Sequence, residues 1–322
     1  MKQRIKTRFT ERFGINHPIM LAPMDQVSGG ALAAAVSRAG GLGLIGGGYG
    51  DADWLDRAFR DAGNAAVGVG FITWSVLDRP ALIEQALARQ PKALMVSFGD
   101  AEPIVEAAQD AGIPTIWQVQ RLSQAKQALA AGTDVIVVQG QEAGGHGMDR
   151  GLVSLLPAVR DLAGPDASIL AAGGIADGRG LAAALMLGAD GVMLGTRFWA
   201  CEEALGSNAA KAELVTRTGD ETVRSKVFDV ARDARWPWEY TGRVVANAYC
   251  RDWHSRIDVF REAPEEGRAR YAAAAEDDFS TRVTIAGEAL DLIDRIEPAV
   301  EIVERVVAEA ADALRTAPRI LV

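Results

Sequence analysis

His146 closes the run Gln139–His146, which reads Gln-Gly-Gln-Glu-Ala-Gly-Gly-His. Ala143, Gly144 and Gly145 carry little or no side chain. Backbone of that kind can lie flat against a planar ligand and let an imidazole reach over it. Histidine titrates near neutral pH, so at such a point it can take or share a proton with a carbon acid or an anion. Two later glycine positions suit a different task. Gly173-Gly174 and Gly195-Thr196 expose backbone N–H groups that can approach an anion closely, and the helix starts that follow add partial positive charge. Together they read as a mononucleotide phosphate clamp, with the Thr196 hydroxyl as an extra donor. The plainer reading is a pair of tight turns.

These residues need a frame that brings them to one place. From residue 18 to about 200, short apolar runs alternate with Ala/Leu-rich amphipathic stretches. The runs are 19–23, 42–45, 66–72, 93–97, 115–119, 135–139, 168–172 and 191–194. They have the composition of parallel strands covered on both faces. Several intervening helices close on Ala-Gly or Leu-Gly, as at Ala111-Gly112, Ala131-Gly132 and Leu187-Gly188, where glycine supplies the left-handed stop. Eight such units predict an α/β fold, a (β/α)8 TIM barrel whose site is built at the carboxyl ends of the strands. The loops after strands seven and eight are the recurrent phosphate site of that fold. An open dinucleotide-binding sheet is disfavoured. Its Gly-x-Gly-x-x-Gly pattern occurs only at 41–46, overlapping the second strand itself.

In the barrel frame, strand one runs into Ala22-Pro23-Met24, and strand two ends in Gly46-Gly47-Gly48. Gln118 and Gln139 end strands five and six, where their amides could bond the polar edge of a planar ligand or hydroxyls on its tail. Met24 could rest its adaptable thioether on the face of that ligand, or be an ordinary core methionine. Glu142 is read as orienting its loop, and Asp177 as a helix cap. His17 is read as structural, and His254 as a weak candidate for substrate contact. Arg197 or Arg243 would serve an acidic substrate.

After Cys201 the alternation stops. The expected division is a barrel over 1–205, a smaller, mainly helical insertion or lid over 206–281, and a C-terminal helical segment over 282–322 that completes the barrel. The insertion carries Trp236, Trp238, Tyr240, Tyr249, Trp253 and Tyr271, apolar surface for a lid or a homodimer interface. A net charge of −9 without a Lys/Arg block disfavours nucleic acid. No apolar run is long enough to span a bilayer, and the charged stretch Met1–Arg12 lacks a leader's apolar core, so a cytoplasmic protein is expected. Two cysteines without Cys-x-x-Cys spacing and three scattered histidines point to reduced thiols and no metal site.

These motifs resemble the nitronate monooxygenases, formerly 2-nitropropane dioxygenases. The matching residues are Gly14-Ile15, Pro18-Ile19, Ala22-Pro23-Met24, Gln139–His146, Ala172-Gly173-Gly174-Ile175 and Leu194-Gly195-Thr196-Arg197-Phe198. The likeness covers about residues 13–205 and continues weakly at Ala286-Gly287-Glu288 and the final helix. It implies non-covalent FMN and oxidation of alkyl nitronates by O2 to carbonyl compounds and nitrite, through a flavin semiquinone. It also places the active-site histidine at His146 and flavin contacts at Gln139, Gly144, Gly174 and the segment Met193, Leu194, Gly195 and Thr196. The chain departs from many relatives at Gly70, where they carry Asn, and from some near Gln118, where they carry a basic residue. The nearest rival is an NAD(P)H-using enoyl-thioester or quinone reductase on the same FMN barrel. A non-catalytic barrel binding a phosphorylated ligand ranks lower.

Overall fold

A computed structural model describes residues 4–317. Residues 1–3 and 318–322, the outer ends of the terminal segments read above, lie outside it. Eight parallel strands form the barrel: β1 (Ile19–Leu21), β2 (Leu44–Gly48), β3 (Gly68–Ile72), β4 (Leu94–Ser97), β5 (Thr115–Val119), β6 (Val135–Gln139), β8 (Ser168–Ala172) and β9 (Gly191–Leu194). Their order is β1-β9-β8-β6-β5-β4-β3-β2. A parallel bridge between Met20 and Leu42 links the two ends, with Leu21 N donating to Leu42 O and Leu42 N to Ile19 O.

Side chains alternate across the barrel wall with the period of two that strands impose. Met20, Met95, Ile116, Val137, Leu170 and Met193 fill the interior, while Leu21, Val96, Trp117, Val138, Ala171 and Leu194 pack outward under the helices. The helix Arg8–Phe13 inserts Phe9 and Phe13 into the lower end of the interior, so the barrel is plugged there. Gly112 and Gly132 follow their helices at φ of 70° and 68°, the left-handed stops that the Ala-Gly pairs predict. Asp177 caps the helix Gly178–Met186 by accepting from Gly180 N.

Strand two does end in the triple glycine 46–48, although the strand starts two residues later and ends three residues later than the run 42–45. The three glycines lie within β2, which carries a register shift between Gly46 and Gly48. A Cβ on Gly46 would stand 2.2 Å from Met24 O, and one on Gly43 1.8 Å from Ala33 O. The glycines at 43 and 46 thus admit close backbone packing.

Beyond β9 only the short helix Thr196–Trp199 follows directly. The long helix Ala299–Thr316 returns to lie against the helices Gly178–Met186 and Gly30–Arg38. It buries Ile302, Val303, Val306 and Val307, and its Glu309 accepts from Gly178 N. The intervening segment contains helices and also two strands that its composition did not suggest, β10 (Thr222–Ser225) and β11 (Thr241–Val245). β11 pairs antiparallel with a short strand in the histidine run, β7 (Gly145–Gly147), placing Gly242 opposite His146. No helix among the described residues is long and apolar enough to cross a membrane.

Candidate active site

A cavity of about 940 Å³ opens at the carboxyl ends of the strands. Ala22, Pro23, Met24, Gln118, Gln139, Gly144, Gly145, His146, Gly173, Gly174, Met193, Gly195 and Thr196 all line it. Leu194 does not: its side chain is in the outer layer, and its carbonyl accepts from Ala22 N. The same alternation puts Gln118 and Gln139 on the inner face, where strand-interior apolar residues give way to amides. Gln118 Nε2 and Gln120 Nε2 donate to Gln139 Oε1 at 3.2 and 2.9 Å, and Gln139 Nε2 donates to His146 O at 3.2 Å. Gln139 is thereby fixed beneath the histidine.

The histidine loop is anchored from outside the barrel. Arg224 Nη1 and Arg243 Nε each donate to Gln141 O at 2.9 Å, and Glu142 accepts from Leu152 N at the start of the next helix. Glu142 O accepts from Glu288 N, which seats Ala286-Gly287 against the loop. A Cβ on Gly144 would stand 2.7 Å from Gly287 N, so glycine permits that contact. Arg243 is spent on this anchoring, and Arg197 is fully buried, donating to the carbonyls of Ala200 and Arg295. Neither lines the cavity, so the expectation that one of them meets an acidic substrate is corrected. Arg79, Arg232 and Arg235 line it instead. His254 faces Ser225 Oγ at 3.0 Å and does not line it.

His146 is held on two sides by the inserted segment. Its Nε2 lies 2.9 Å from Asp229 Oδ1, and the Trp236 ring stacks on the imidazole with centroids 3.5 Å apart and planes 5° apart. Asp229 sits on the helix Val227–Ala231 and Trp236 just beyond it. Burial pushes the imidazole below its ordinary pKa near 6.5, against the upward pull of Asp229. A carboxylate accepts only, so the 2.9 Å contact assigns the proton to Nε2 and leaves the Nδ1 lone pair free. Trp236 also belongs to an aromatic wall with Tyr49, Trp74, Phe98 and Tyr240, and its Nε1 donates to Tyr49 Oη at 2.7 Å. Phe98 holds a φ of 66°, a strained setting for a bulky residue, and points to a constraint at the cavity wall.

At the opposite end the backbone N–H groups of Gly173, Gly174, Gly195 and Thr196 donate to no acceptor among the described residues. Gly173 and Gly174 have φ of 108° and 69°. The Thr196 hydroxyl accepts from Gly287 N at 3.0 Å, which leaves its own proton to donate.

A family model described as nitronate monooxygenase matches residues 6–68 and 72–309. This chain belongs to the nitronate monooxygenase family. The break in the match contains Gly70, where a Cβ would stand 2.4 Å from Pro23 Cγ. A larger side chain there would displace the Ala22-Pro23-Met24 loop, which gives the departure at Gly70 a packing reason. The nitronate monooxygenase of Neurospora crassa is 32% identical over 93% of this chain and 90% of its own. Among solved structures, FabK from Thermotoga maritima superposes with a TM-score of 0.85 at 28% identity, covering 98% of this chain and 100% of that one. Nitroalkane oxidase from Streptomyces ansochromogenes gives 0.75 at 28%, covering 96% and 99%. Membership of the nitronate monooxygenase family makes the chain an oxidoreductase acting on small molecules.

Proposed function

We propose that the protein oxidises alkyl nitronates with O2 to carbonyl compounds and nitrite, using non-covalent FMN, and that His146 converts neutral nitroalkanes to nitronates in the same cavity. The observation that carries the reading is the His146–Asp229 pair. It leaves a basic Nδ1 on a residue that lines a cavity with a cradle of free N–H groups at its other end.

The residues present fit FMN. The cavity lies within the roughly 300–1,000 Å³ usual for cofactor sites. Gly173, Gly174, Gly195 and Thr196 would hold the phosphate, where added side chains would cover the free N–H groups. Gln139 and Gln118 would meet ring or ribityl polar atoms, and Ala22, Pro23, Met24, Gly144, Gly145 and Met193 would line the apolar body. The chemistry that bound FMN supplies is one-electron oxidation of the nitronate and delivery of electrons to O2.

The chain's own part is proton handling and orientation. His146 Nδ1 takes the α-proton of a neutral nitroalkane, and the imidazolium that forms is met by Asp229 through Nε2–H. The Trp236 stack fixes the ring plane and keeps water from that face. A neutral imidazole is required, and burial favours it. A preformed nitronate needs no such step.

The test is an aerobic assay of the flavin-loaded protein with an alkyl nitronate, following O2 uptake and nitrite release together. Coupled uptake and release are expected. Oxygen uptake without nitrite would refute the reading, as would inertness to nitronates alongside turnover driven by NADH or NADPH.

A further inference from the structure

Lys226 is buried beside the histidine pair, and its ammonium has more to do than balance one charge. Nζ donates to Tyr240 O at 2.8 Å, Pro237 O at 3.1 Å and Trp236 O at 3.5 Å. An ammonium has three N–H bonds, and these three carbonyls take them all. Nζ also lies 3.1 Å from Asp229 Oδ2, an oxygen with no hydrogen-bond donor among the described residues. The Asp229 carboxylate therefore faces the lysine's charge while the lysine's protons hold the chain around Trp236.

We propose that Lys226 is a positioning residue for the base, tying down with one ammonium both groups that hold His146, the Asp229 carboxylate and the Trp236 ring. The inference rests on the reading of His146 as base. Lys226 and Asp229 are three residues apart at the start of one helical turn, so they meet on one face. Trp236 belongs to a stretch without regular structure, and its carbonyl and the two beyond it are drawn to that same point. Lysine suits the site because it is a compact charge with three divergent donors, whereas a guanidinium is a planar fork.

Electrostatics give the arrangement a testable sign. The charged groups that face His146 are Asp229, Lys226 and Arg232, whose Nη2 is 3.8 Å from Asp229 Oδ1. The carboxylate favours the imidazolium, and both cations oppose it. With Lys226 present, Asp229 can orient Nε2–H without locking a proton on Nδ1. Without it, the unbalanced carboxylate would hold the imidazolium to higher pH.

The experiment compares flavin-loaded wild type, Lys226→Met and Asp229→Asn by two readouts. One is the pH at which the His146 imidazole NMR signal titrates, assigned by its loss in His146→Ala. The other is the acid limb of kcat/KM with a neutral nitroalkane. Lys226→Met should raise both by about one pH unit, a roughly tenfold loss of kcat/KM on the acid side, and Asp229→Asn should lower the NMR value. Lys226→Met should also raise KM, because Trp236 loses its anchor. Lys226→Gln, which keeps donors to the carbonyls and removes the charge, should reproduce the pH shift and serves if the methionine variant does not fold. An unmoved His146 titration in either folded lysine variant would overturn the proposal. So would shifts of one sign in the lysine and aspartate variants. If His146→Ala keeps full turnover of neutral nitroalkanes, the base reading fails, while the NMR titration still decides the role of Lys226.

Discussion

Replacing Asp229 by Asn keeps the shape of the side chain and removes its charge. In the native site one carboxylate oxygen accepts from His146 Nε2 at 2.9 Å, and both side chains are nearly excluded from solvent. As the imidazole takes a proton, that bond becomes one between ions, and a hydrogen bond to a charged group contributes about 1.5–3 kcal/mol. Losing it only where charge develops should lower kcat/KM for a neutral nitroalkane by about 10- to 150-fold. The amide can also present its NH2 to the ring and turn the wrong tautomer toward the cavity, which pushes the loss toward the upper end. A preformed nitronate arrives without the α-proton, so its kcat/KM should change by no more than about threefold, the part due to looser packing. Steady-state rates with matched nitroalkane and nitronate at pH 7.5 measure both numbers. Equal losses with the two substrates would refute the reasoning, because they would mean that Asp229 supports the fold of the site and not proton transfer.

The lowered pKa of His146 predicts the direction of the pH profile. Its neutral form persists below the ordinary value near 6.5, so kcat/KM for a neutral nitroalkane should stay level through neutrality and fall only with a midpoint below that ordinary value. A midpoint above 6.5 would show that Asp229 outweighs burial. At the phosphate end, a Cβ on Gly173 would stand 3.0 Å from Ala143 N and Gly140 O at a φ of 108°. Gly173→Ala should weaken FMN by about tenfold or more, read by flavin fluorescence titration, with far-ultraviolet circular dichroism unchanged.

Much of this was legible in the sequence because the barrel repeats one physical unit. Short Val/Ile/Leu runs with glycine-stopped helices between them specify strands covered on both faces, and four of the eight runs have the expected ends. The inner-face position of Gln139 follows from strand alternation alone, as does the outward turn of Leu194. The apolar run at 42–45 stops three residues short of the strand's end at Gly48, because composition does not separate glycines that follow a strand from glycines of a strand pressed against a neighbouring backbone.

The partners of His146 were hidden for another reason. Asp229 stands 83 residues further along, and Trp236 further still, and no periodicity carries across an insertion. A local signal was present. Asp229 interrupts the apolar run Val227-Phe228-Asp229-Val230-Ala231, three residues after Lys226, and a carboxylate in such a run calls for a partner. Gln120 lies two residues beyond Gln118, on the same face, and was readable by the same alternation. Arg197 and Arg243 failed as substrate cations because arginine also satisfies stray backbone carbonyls, a use that charge alone does not reveal.

The most direct test of the central claim is the flavin spectrum under anaerobic conditions. The FMN-loaded protein is mixed with an alkyl nitronate, and separately with NADH and with NADPH. Nitronate oxidation predicts rapid bleaching of the flavin absorbance by the nitronate and none, on that timescale, by either nicotinamide. Bleaching by a nicotinamide with no response to the nitronate would contradict the account and assign this cavity to a reductase.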